Sequence, residues 1–144
     1  FLNLGYFAMS DALKALFAND LSGMDFDSQN ISGLSFAGKI LSGARFDDVI
    51  AINTNFQNCD LYWTRFFRAN VQSADFRKSI LRGANLAFAD FSCADLRGAD
   101  LGRDSLNGLT TIEGTNFSGA KYDSHTVLPD GLKPESQGMI YCEN

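Results

Sequence analysis

The chain has 144 residues, of which 45% are hydrophobic, and a formal net charge of -5 at pH 7. This length predicts one domain with a continuous core, and no apolar stretch reaches the 18 residues or more of a membrane span. The charge is uneven: residues 1–63 carry seven acidic and three basic side chains (-4), residues 64–103 four and seven (+3), and residues 104–144 six and two (-4). A uniformly acidic surface is therefore excluded.

Residues 1–18 are predicted to form an N-terminal segment that ends in a short capping helix. The apolar residues 1–9 lack the basic start and the small-residue cleavage site of a secretory signal, so they leave the compartment open. Ser10 is a favourable N-cap, and three apolar side chains share one face of the predicted helix: Leu13, Leu16 and Phe17. We expect this face to cover the first unit of the repeat that follows.

From residue 19 to residue 127 the chain follows a five-residue period. A large apolar residue occurs at every fifth position, and only Ala51 interrupts the series. These repeat centres are Leu21, Phe26, Ile31, Phe36, Leu41, Phe46, Phe56, Leu61, Phe66, Val71, Phe76, Leu81, Leu86, Phe91, Leu96, Leu101 and Leu106. Neither the period of a helix nor that of a strand places every fifth residue on one buried face. The period therefore predicts short extended segments joined by turns.

Every fourth repeat centre tends to be the same residue type, and this pattern predicts a coil of about 20 residues with four sides. One column consists only of leucine: Leu21, Leu41, Leu61, Leu81 and Leu101. Two other columns are mostly phenylalanine, and the later units carry a small residue, commonly Ala, two positions before the centre. Stacked units that bury little alone build a core from such columns.

Two interruptions of the repeat predict local changes. Around residues 49–52 isoleucines replace the polar flanks, and we expect a rearranged corner whose isoleucines partly refill the core. After Leu106 the next centres run one residue late, which predicts one extra residue near positions 107–110. The shifted centres are Ile112, Phe117, Tyr122 and Val127.

Residues 128–144 are predicted to form a C-terminal cap. Pro129 and Pro134 lack the backbone donor that a ladder of strands needs, so residues 128–134 cannot continue the repeat. Three apolar residues in the tail could fold over the last coil: Met139, Ile140 and Tyr141.

The later units resemble those of the pentapeptide-repeat family, as in residues 84–88 (Ala-Asn-Leu-Ala-Phe) and 94–98 (Ala-Asp-Leu-Arg-Gly). The resemblance covers about residues 19–127. It implies an all-β fold, a right-handed quadrilateral β-helix of about five coils with inward-pointing central and small residues. The small residue is missing in the early units, where we expect less regular coils, because these positions hold Met24, Gln29, Leu34 and Lys39.

The chain offers few groups for catalysis. His125, the only histidine, is predicted at an inward position without partners at metal-binding spacing. The acids before three later centres recur because Asp or Asn there can bond the backbone of the turn: Asp90, Asp95 and Asp100. Cys59 is predicted in the core and Cys93 on a different side of the coil, so we expect unpaired thiols. We predict a protein that is not an enzyme and has no cofactor, metal or small-molecule substrate.

One corner of the predicted coil carries aromatic residues where the repeat normally has polar residues or glycine. These are Tyr62, Trp63 and Phe67 on one coil and Phe88 on the next. Three arginines surround them: Arg65, Arg68 and Arg82. Such a composition is typical of protein interfaces, and contiguous exposed apolar area is uncommon on monomers. Local packing of the rings and stacking on nucleic acid are the alternatives.

The function predicted first is a non-catalytic interaction or scaffold module that presents a rigid surface to an unknown protein partner. The four aromatic side chains would be its anchors and the three arginines its rim. The family resemblance implies two alternatives: a DNA mimic that binds a type II topoisomerase, as in quinolone resistance, or a structural protein of a photosynthetic organism such as a cyanobacterium. A DNA mimic needs acidic faces, which the basic middle of this chain disfavours. Nucleic acid is a less favoured partner. A monomer and a homodimer both stay open, as do the cytoplasm, the periplasm and the thylakoid lumen.

Overall fold

The computed structural model describes residues 17–143 of the chain. The predicted capping helix at residues 10–18 lies almost entirely outside the described residues. Within residues 17–143 no helix has the length and hydrophobicity of a membrane span.

The described chain winds into stacked coils that are joined by parallel β-bridges. From Asp20 to Asp100 each bridge links a residue to the one 20 positions later, as in Asp20 with Ile40, and a new bridge occurs every five residues. Four bridges per turn give the β-helix four faces, which we number by their columns of bridge residues. Face 1 contains Asp20, Ile40, Asp60, Ile80, Asp100 and Val127; face 2 contains Asp25, Arg45, Arg65, Asn85 and Thr111; face 3 contains Asn30, Ile50, Asn70, Asp90 and Asn116; face 4 contains Ser35, Asn55, Asp75, Asp95 and Lys121.

A tight turn follows each repeat centre and forms a corner of the square. In the unit centred on Leu21, the N–H of Met24 donates to the carbonyl of Leu21 at 3.2 Å. The intervening Gly23 has φ +71°, a left-handed conformation that favours Gly and Asn. The carboxylate of Asp20 accepts from the N–H of Ser22 at 3.0 Å and fixes the turn from outside. This local chemistry explains why the unit is five residues long.

The core is a set of side-chain columns that run along the axis. The rings of Phe26 and Phe46 are stacked with centroids 5.0 Å apart, and those of Phe46 and Phe66 are 4.7 Å apart. Neighbouring columns meet edge to face, as between Phe46 and Phe56 at 5.6 Å. Hydroxyls at the small inward positions are satisfied, since Thr54 donates to the carbonyl of Ile31 at 3.0 Å.

The first interruption of the repeat does not disturb the coil. The bridges of Ile50 to Asn30 and to Asn70 are in register, so the predicted rearranged corner is wrong. Ile50 is 42% exposed on face 3 and does not refill the core. Val49 is buried at the inward position two residues before Ala51, where most later units have alanine. The larger valine side chain fills part of the space that a large apolar residue at position 51 would occupy.

The early units also keep a regular backbone, contrary to the prediction. The bridges from Asp20, Asp25, Asn30 and Ser35 have the same 20-residue register as those of later coils. The larger inward side chains Met24 and Leu34 are accommodated partly buried against the core. The backbone ladder therefore does not depend on a small residue at this position.

The second interruption is an insertion of six residues and not of one. The bridges lengthen from 20 residues to 26 between Asn85 and Thr111, so Ile112 replaces Leu106 as the centre on face 2. Leu106 is 83% exposed in the inserted loop at residues 102–110. A further residue is inserted before Val127, which pairs with Asp100 at a separation of 27. Val127 is therefore a bridge residue and not a centre.

The tail adds one more strand to face 4 at the C-terminal end of the β-helix. Strand β1 (Lys121–Tyr122) pairs in parallel with strand β2 (Ile140–Tyr141), and a short 3-10 helix (Glu135–Gln137) lies between them. Leu132 and Met139 pack partly buried against the core. As predicted, the segment with the two prolines leaves the ladder, but Ile140 and Tyr141 rejoin it on face 4.

Two leucines that share the five-residue period test the insertion. Leu101 is 0% exposed in the core and Leu106 is 83% exposed. We expect Leu101→Ala to lower the free energy of unfolding by about 2–5 kcal/mol and Leu106→Ala to change it by no more than about 0.5 kcal/mol. Urea denaturation of both variants beside the wild type measures the difference. Equal losses would contradict the position of the loop.

The three cysteines are free, and they should differ in reactivity. Burial raises the pKa of Cys59 to about 11, and its thiol donates to the carbonyl of Phe36 at 3.0 Å. Cys93 is exposed at a corner. Because the thiolate is the reactive form, we expect iodoacetamide at pH 8 to modify Cys93 in the folded protein and Cys59 only after unfolding. Peptide mass mapping reads both sites, and fast modification of native Cys59 would contradict its burial.

Candidate functional site

The seven residues predicted to bind a partner lie around face 2, on two corners and not on one. The first corner, between faces 1 and 2, carries Tyr62, Trp63 and Arg82. Face 2 itself carries Arg65, and the second corner, between faces 2 and 3, carries Phe67, Arg68 and Phe88. We call these seven residues the aromatic–arginine surface. Successive corners are five residues apart in the sequence. Tyr62 and Phe67 are separated by five residues and therefore lie on neighbouring corners.

On the first corner, Trp63 is fixed from several sides. Its indole N–H donates to the carboxylate of Asp104 in the inserted loop at 2.8 Å, and Tyr62 meets it edge to face with ring centroids 4.5 Å apart. The hydroxyl of Tyr62 accepts from the N–H of Ser105 in the same loop. These contacts are the local packing that the sequence left as an alternative. They leave 48% of Trp63 exposed.

On the second corner, Phe67 and Phe88 form an edge-to-face pair across two coils. Their ring centroids are 5.9 Å apart. Phe88 lies against Gly114 of the next coil, where an added Cβ would come within 2.4 Å of the Phe88 ring. Phe88 is 51% exposed, while Phe67 is half-buried.

Trp63 and Phe88 both occupy the left-handed position of their turns. Their φ angles are +57° and +59°, in a region that bulky residues rarely adopt and that disfavours L-residues by about 1–2 kcal/mol. Gly83 of the next coil gives the indole room, because a Cβ there would lie 2.7 Å from the ring of Trp63. Each exposed ring is thus paired with a glycine one coil further along the axis.

The three arginines are held by ion pairs between coils. Arg65 reaches Asp47 at 2.6 Å, Arg68 reaches Asp48 at 3.3 Å, and Arg82 reaches Asp100 at 2.8 Å. The side chains of Arg65, Arg68 and Arg82 stay 52%, 65% and 44% exposed. Exposed pairs of this kind contribute little to stability. Their effect is to hold the arginine side chains in place and to reduce the positive charge of the surface.

Sequence reasoning missed the partners of these residues. Asp47 and Asp100 are each 18 residues from the arginine that they bind, so the 20-residue coil could have identified both. Gly83 and Gly114 follow from the same period, once the insertion before residue 111 is included. Asp104 carried no signal, because it contacts a residue 41 positions away through a non-repeating loop.

The other candidate residues have structural roles. The carboxylates of Asp90, Asp95 and Asp100 accept from the N–H two residues later at 2.9, 3.2 and 3.0 Å, as predicted. His125 is exposed at a turn and not inward, because Thr126 takes the inward position and donates to the carbonyl of Leu96 at 2.9 Å. In the part of the chain that the structure describes, no group of His, Cys, Asp and Glu is arranged to hold a metal ion.

An open groove lies at the corner that follows face 4. Its polar lining consists of Arg77, Lys78, Arg97, Asp123, His125 and Glu143. The two arginines are engaged within the protein, Arg77 with Asp75 at 2.7 Å and Arg97 with Asp95 at 2.6 Å. Because these carboxylates already neutralise the guanidinium groups, the groove is a weaker candidate for an anion than its two arginines suggest.

Comparison with known families gives one match. The family model described as pentapeptide repeats, with 8 copies, matches residues 30–66 and 64–103 of the chain. No curated protein sequence matches the chain significantly.

Several solved structures are similar to this chain over most of its length. The pentapeptide-repeat protein Rfr23 of the cyanobacterium Cyanothece 51142 is 22% identical, with 83% of this chain and 98% of that chain covered and a TM-score of 0.31. HetL of the cyanobacterium Nostoc sp. strain PCC 7120, involved in heterocyst differentiation regulation, is 19% identical, with coverages of 88% and 68% and a TM-score of 0.41. QnrB1, a plasmid-mediated fluoroquinolone resistance protein, is 18% identical, with coverages of 85% and 82% and a TM-score of 0.38.

The fluorescence of Trp63, the only tryptophan, reports on its contact with the inserted loop. The hydrogen bonds from Trp63 and from the N–H of Gly108 lower the pKa of Asp104 below its usual value of 3.8. A lowered pKa means that the contact holds at pH values above 3.8 and is lost only as the pH falls through the lower value in the folded protein. We expect the Trp63 emission to shift to the red only in that acid range.

The variant Asp104→Asn removes this titration. We expect its emission to show no acid transition, because the amide does not titrate, and to be shifted part of the way to the red at pH 7, because a neutral amide oxygen is a weaker acceptor than a carboxylate. Far-UV circular dichroism monitors the β-helix in parallel and separates release of the loop from unfolding. Wild-type emission and a wild-type acid transition in Asp104→Asn would overturn the contact.

Proposed function

Because the chain belongs to the pentapeptide-repeat family, we propose that it is a non-catalytic interaction module whose aromatic–arginine surface binds a protein partner. The observation that carries this proposal is the pair of half-exposed rings, Trp63 and Phe88, at 48% and 51% exposure. Both are held in a conformation that is unfavourable for a bulky side chain. Nine other non-glycine residues share this conformation in the described chain, so the size and exposure of the two rings carry the proposal, and not the conformation alone.

The fixed geometry supports binding energetically. Interface hot spots are enriched in Trp, Tyr and Arg, and an ordered side chain loses little conformational entropy when a partner covers it. Trp63 is already oriented by Asp104 and Tyr62, and Phe88 by Phe67. Their uncovered faces would be the anchors.

The arginines suit the rim of such a surface. Arg65 donates to Asp47 through Nη2, and its side chain is 52% exposed, so its other N–H groups face solvent. A guanidinium group can bond a second acceptor without leaving the first because its five donors lie in one plane. A partner would therefore meet oriented donors next to the rings.

The other candidate functions have less support. Stacking on nucleic acid relies on a cationic surface, whereas the three arginines are paired with Asp47, Asp48 and Asp100. A DNA mimic needs a continuous acidic strip, but within the described residues isoleucines alternate with the acids of face 1, and Arg45 and Arg65 lie on face 2. No feature of the described chain favours a purely structural role over an interaction module.

The test compares two double variants that remove similar exposed apolar groups. Trp63→Ser with Phe67→Ser disrupts both corners of the aromatic–arginine surface, and Ile40→Ser with Ile80→Ser removes exposed side chains from face 1. Urea denaturation first establishes that both are folded. Immobilised wild type, both variants and a blank matrix then capture partners from a lysate of the source organism.

We expect a partner that is retained by the wild type and the Ile variant but lost, by at least about tenfold, from the Trp–Phe variant; loss of one anchor alone costs 2 kcal/mol or more at a hot spot. Equal capture by both variants would assign the rings to local packing and reject the proposal.

A further inference from the structure

Face 2 is built from a repeating set of three backbone hydrogen bonds between coils. The N–H of Thr111 donates to the carbonyl of Ala84 at 2.9 Å, and the carbonyls of Thr111 and Glu113 accept from Leu86 and Phe88, both at 2.8 Å. The same set joins each earlier pair of coils on this face. A coil therefore needs a following extended segment to satisfy one carbonyl and two N–H groups.

On face 2 the described residues provide no such segment after the coil that contains Thr111. The equivalent groups are the carbonyl of Thr110 and the N–H groups of Ile112 and Gly114, and none has a backbone partner among residues 17–143. Unpaired groups along a sheet edge are a template for another strand. The exposed edge also leaves Ile112 only partly buried, although it continues the fully buried column of Phe46, Phe66 and Leu86.

The chain itself shows that a non-repeating segment can satisfy such an edge. On face 4 the N–H of Ile140 donates to the carbonyl of Ala120 at 2.8 Å, the bond that begins each set, and β2 pairs in parallel with β1. Tyr141 follows Ile140 and meets the ring of Tyr122, the centre of that unit, at 5.4 Å. The edge on face 2 presents the equivalent backbone groups, but no strand pairs with them among the described residues.

We propose that the open edge at residues 110–114 binds an extended segment of a partner protein, which adds to face 2 as a parallel strand. The first residue of the segment donates to the carbonyl of Thr110 and accepts from the N–H of Ile112. The second residue is apolar and covers Ile112. The third accepts from the N–H of Gly114. Strand addition of this kind combines main-chain affinity with side-chain selection at alternate positions.

Charge complementarity selects the third residue of the segment. It lies in the column of Glu113, which is exposed, and residues 104–144 carry six acidic and two basic side chains (-4). A Lys or Arg at this position pairs with Glu113. The fourth residue continues the left-handed column of Phe88 and Gly114, which favours Gly or Asn. The segment is therefore polar, apolar, basic and then Gly or Asn.

A second copy related by two-fold symmetry fits the edge less well. In an antiparallel pair centred on Thr111, the N–H of Ile112 in each copy would donate to the carbonyl of Thr110 in the other. The N–H of Gly114 would then face the carbonyl of Gly108, which already accepts from the N–H of Asp104 at 2.9 Å. A parallel segment satisfies all three groups of the edge.

This site adjoins the aromatic–arginine surface at Gly114, against which Phe88 lies. Neither Trp63 nor Phe67 belongs to the edge, so each proposal can fail without the other.

The test fuses the peptide Ser-Asn-Leu-Lys-Gly-Ser to the full chain after Asn144 through about 15 Gly and Ser residues, which gives an effective concentration in the millimolar range. Amide hydrogen exchange by NMR is the measurement. We expect exchange at Ile112 and Gly114 to slow by at least about fivefold relative to a control fusion in which the Leu of the peptide is Asp, since strand pairing hides both amides.

A matched pair of variants in the chain localises the effect. In the fusion, Ile112→Asp should abolish the protection of Gly114, whereas Leu109→Asp, at an exposed position of the inserted loop, should retain it. Equal exchange in the peptide and control fusions would overturn the proposal, as would protection that survives Ile112→Asp. Protection in the unfused chain that grows with protein concentration would replace the partner by a second copy and would also overturn it.

Discussion

The parallel backbone bridge between one coil and the next is the constraint on which the rest of this structure depends. Each bridge fixes a residue on a face and thereby fixes its neighbours as inward centre, corner or left-handed turn residue. The stacked Phe rings follow from it, because side chains in one column must repeat at the spacing of the ladder. The ion pairs of Arg65 and Arg82 follow from it too, since each spans adjacent coils.

The ladder also explains how a rigid surface arises without regular helices or long strands. Only Lys121–Tyr122 and Ile140–Tyr141 form strands longer than one residue among the described residues, yet nearly every unit is bonded to its neighbours along the axis. A corner in such a frame has two positions that are free to vary. In most units they hold polar residues or Gly, and at Trp63 and Phe88 they hold rings that the frame keeps in an unfavourable conformation.

Most of the fold could be predicted from the sequence because the repeat leaves a period in the chain, and the period fixes which residue stacks on which. The period does not fix the length of an insertion, because insertions that differ by five residues leave the repeat in the same phase. A shift of one residue after Leu106 fits an insertion of one residue or of six, and the structure has six. The isoleucine at position 50 was misread because its hydrophobicity suggested the core, whereas its place in the period puts it on face 3. The sequence suggested which residues form the candidate site but not how they are arranged on the surface. The contact of Trp63 with Asp104, for example, depends on a loop outside the five-residue period.

The inserted loop has a consequence for how the molecule unfolds. A solenoid held only by bonds between adjacent coils behaves as a one-dimensional array, in which end units fray independently of the rest. Here the loop bonds Trp63 across 41 positions, and Arg103 within it bonds Asp130 of the tail at 2.7 Å. Through these contacts a middle coil, the inserted loop and the tail are linked into one cooperative folding unit. The C-terminal half of the protein is therefore expected to lose its structure in a single cooperative step, while the opposite end opens coil by coil.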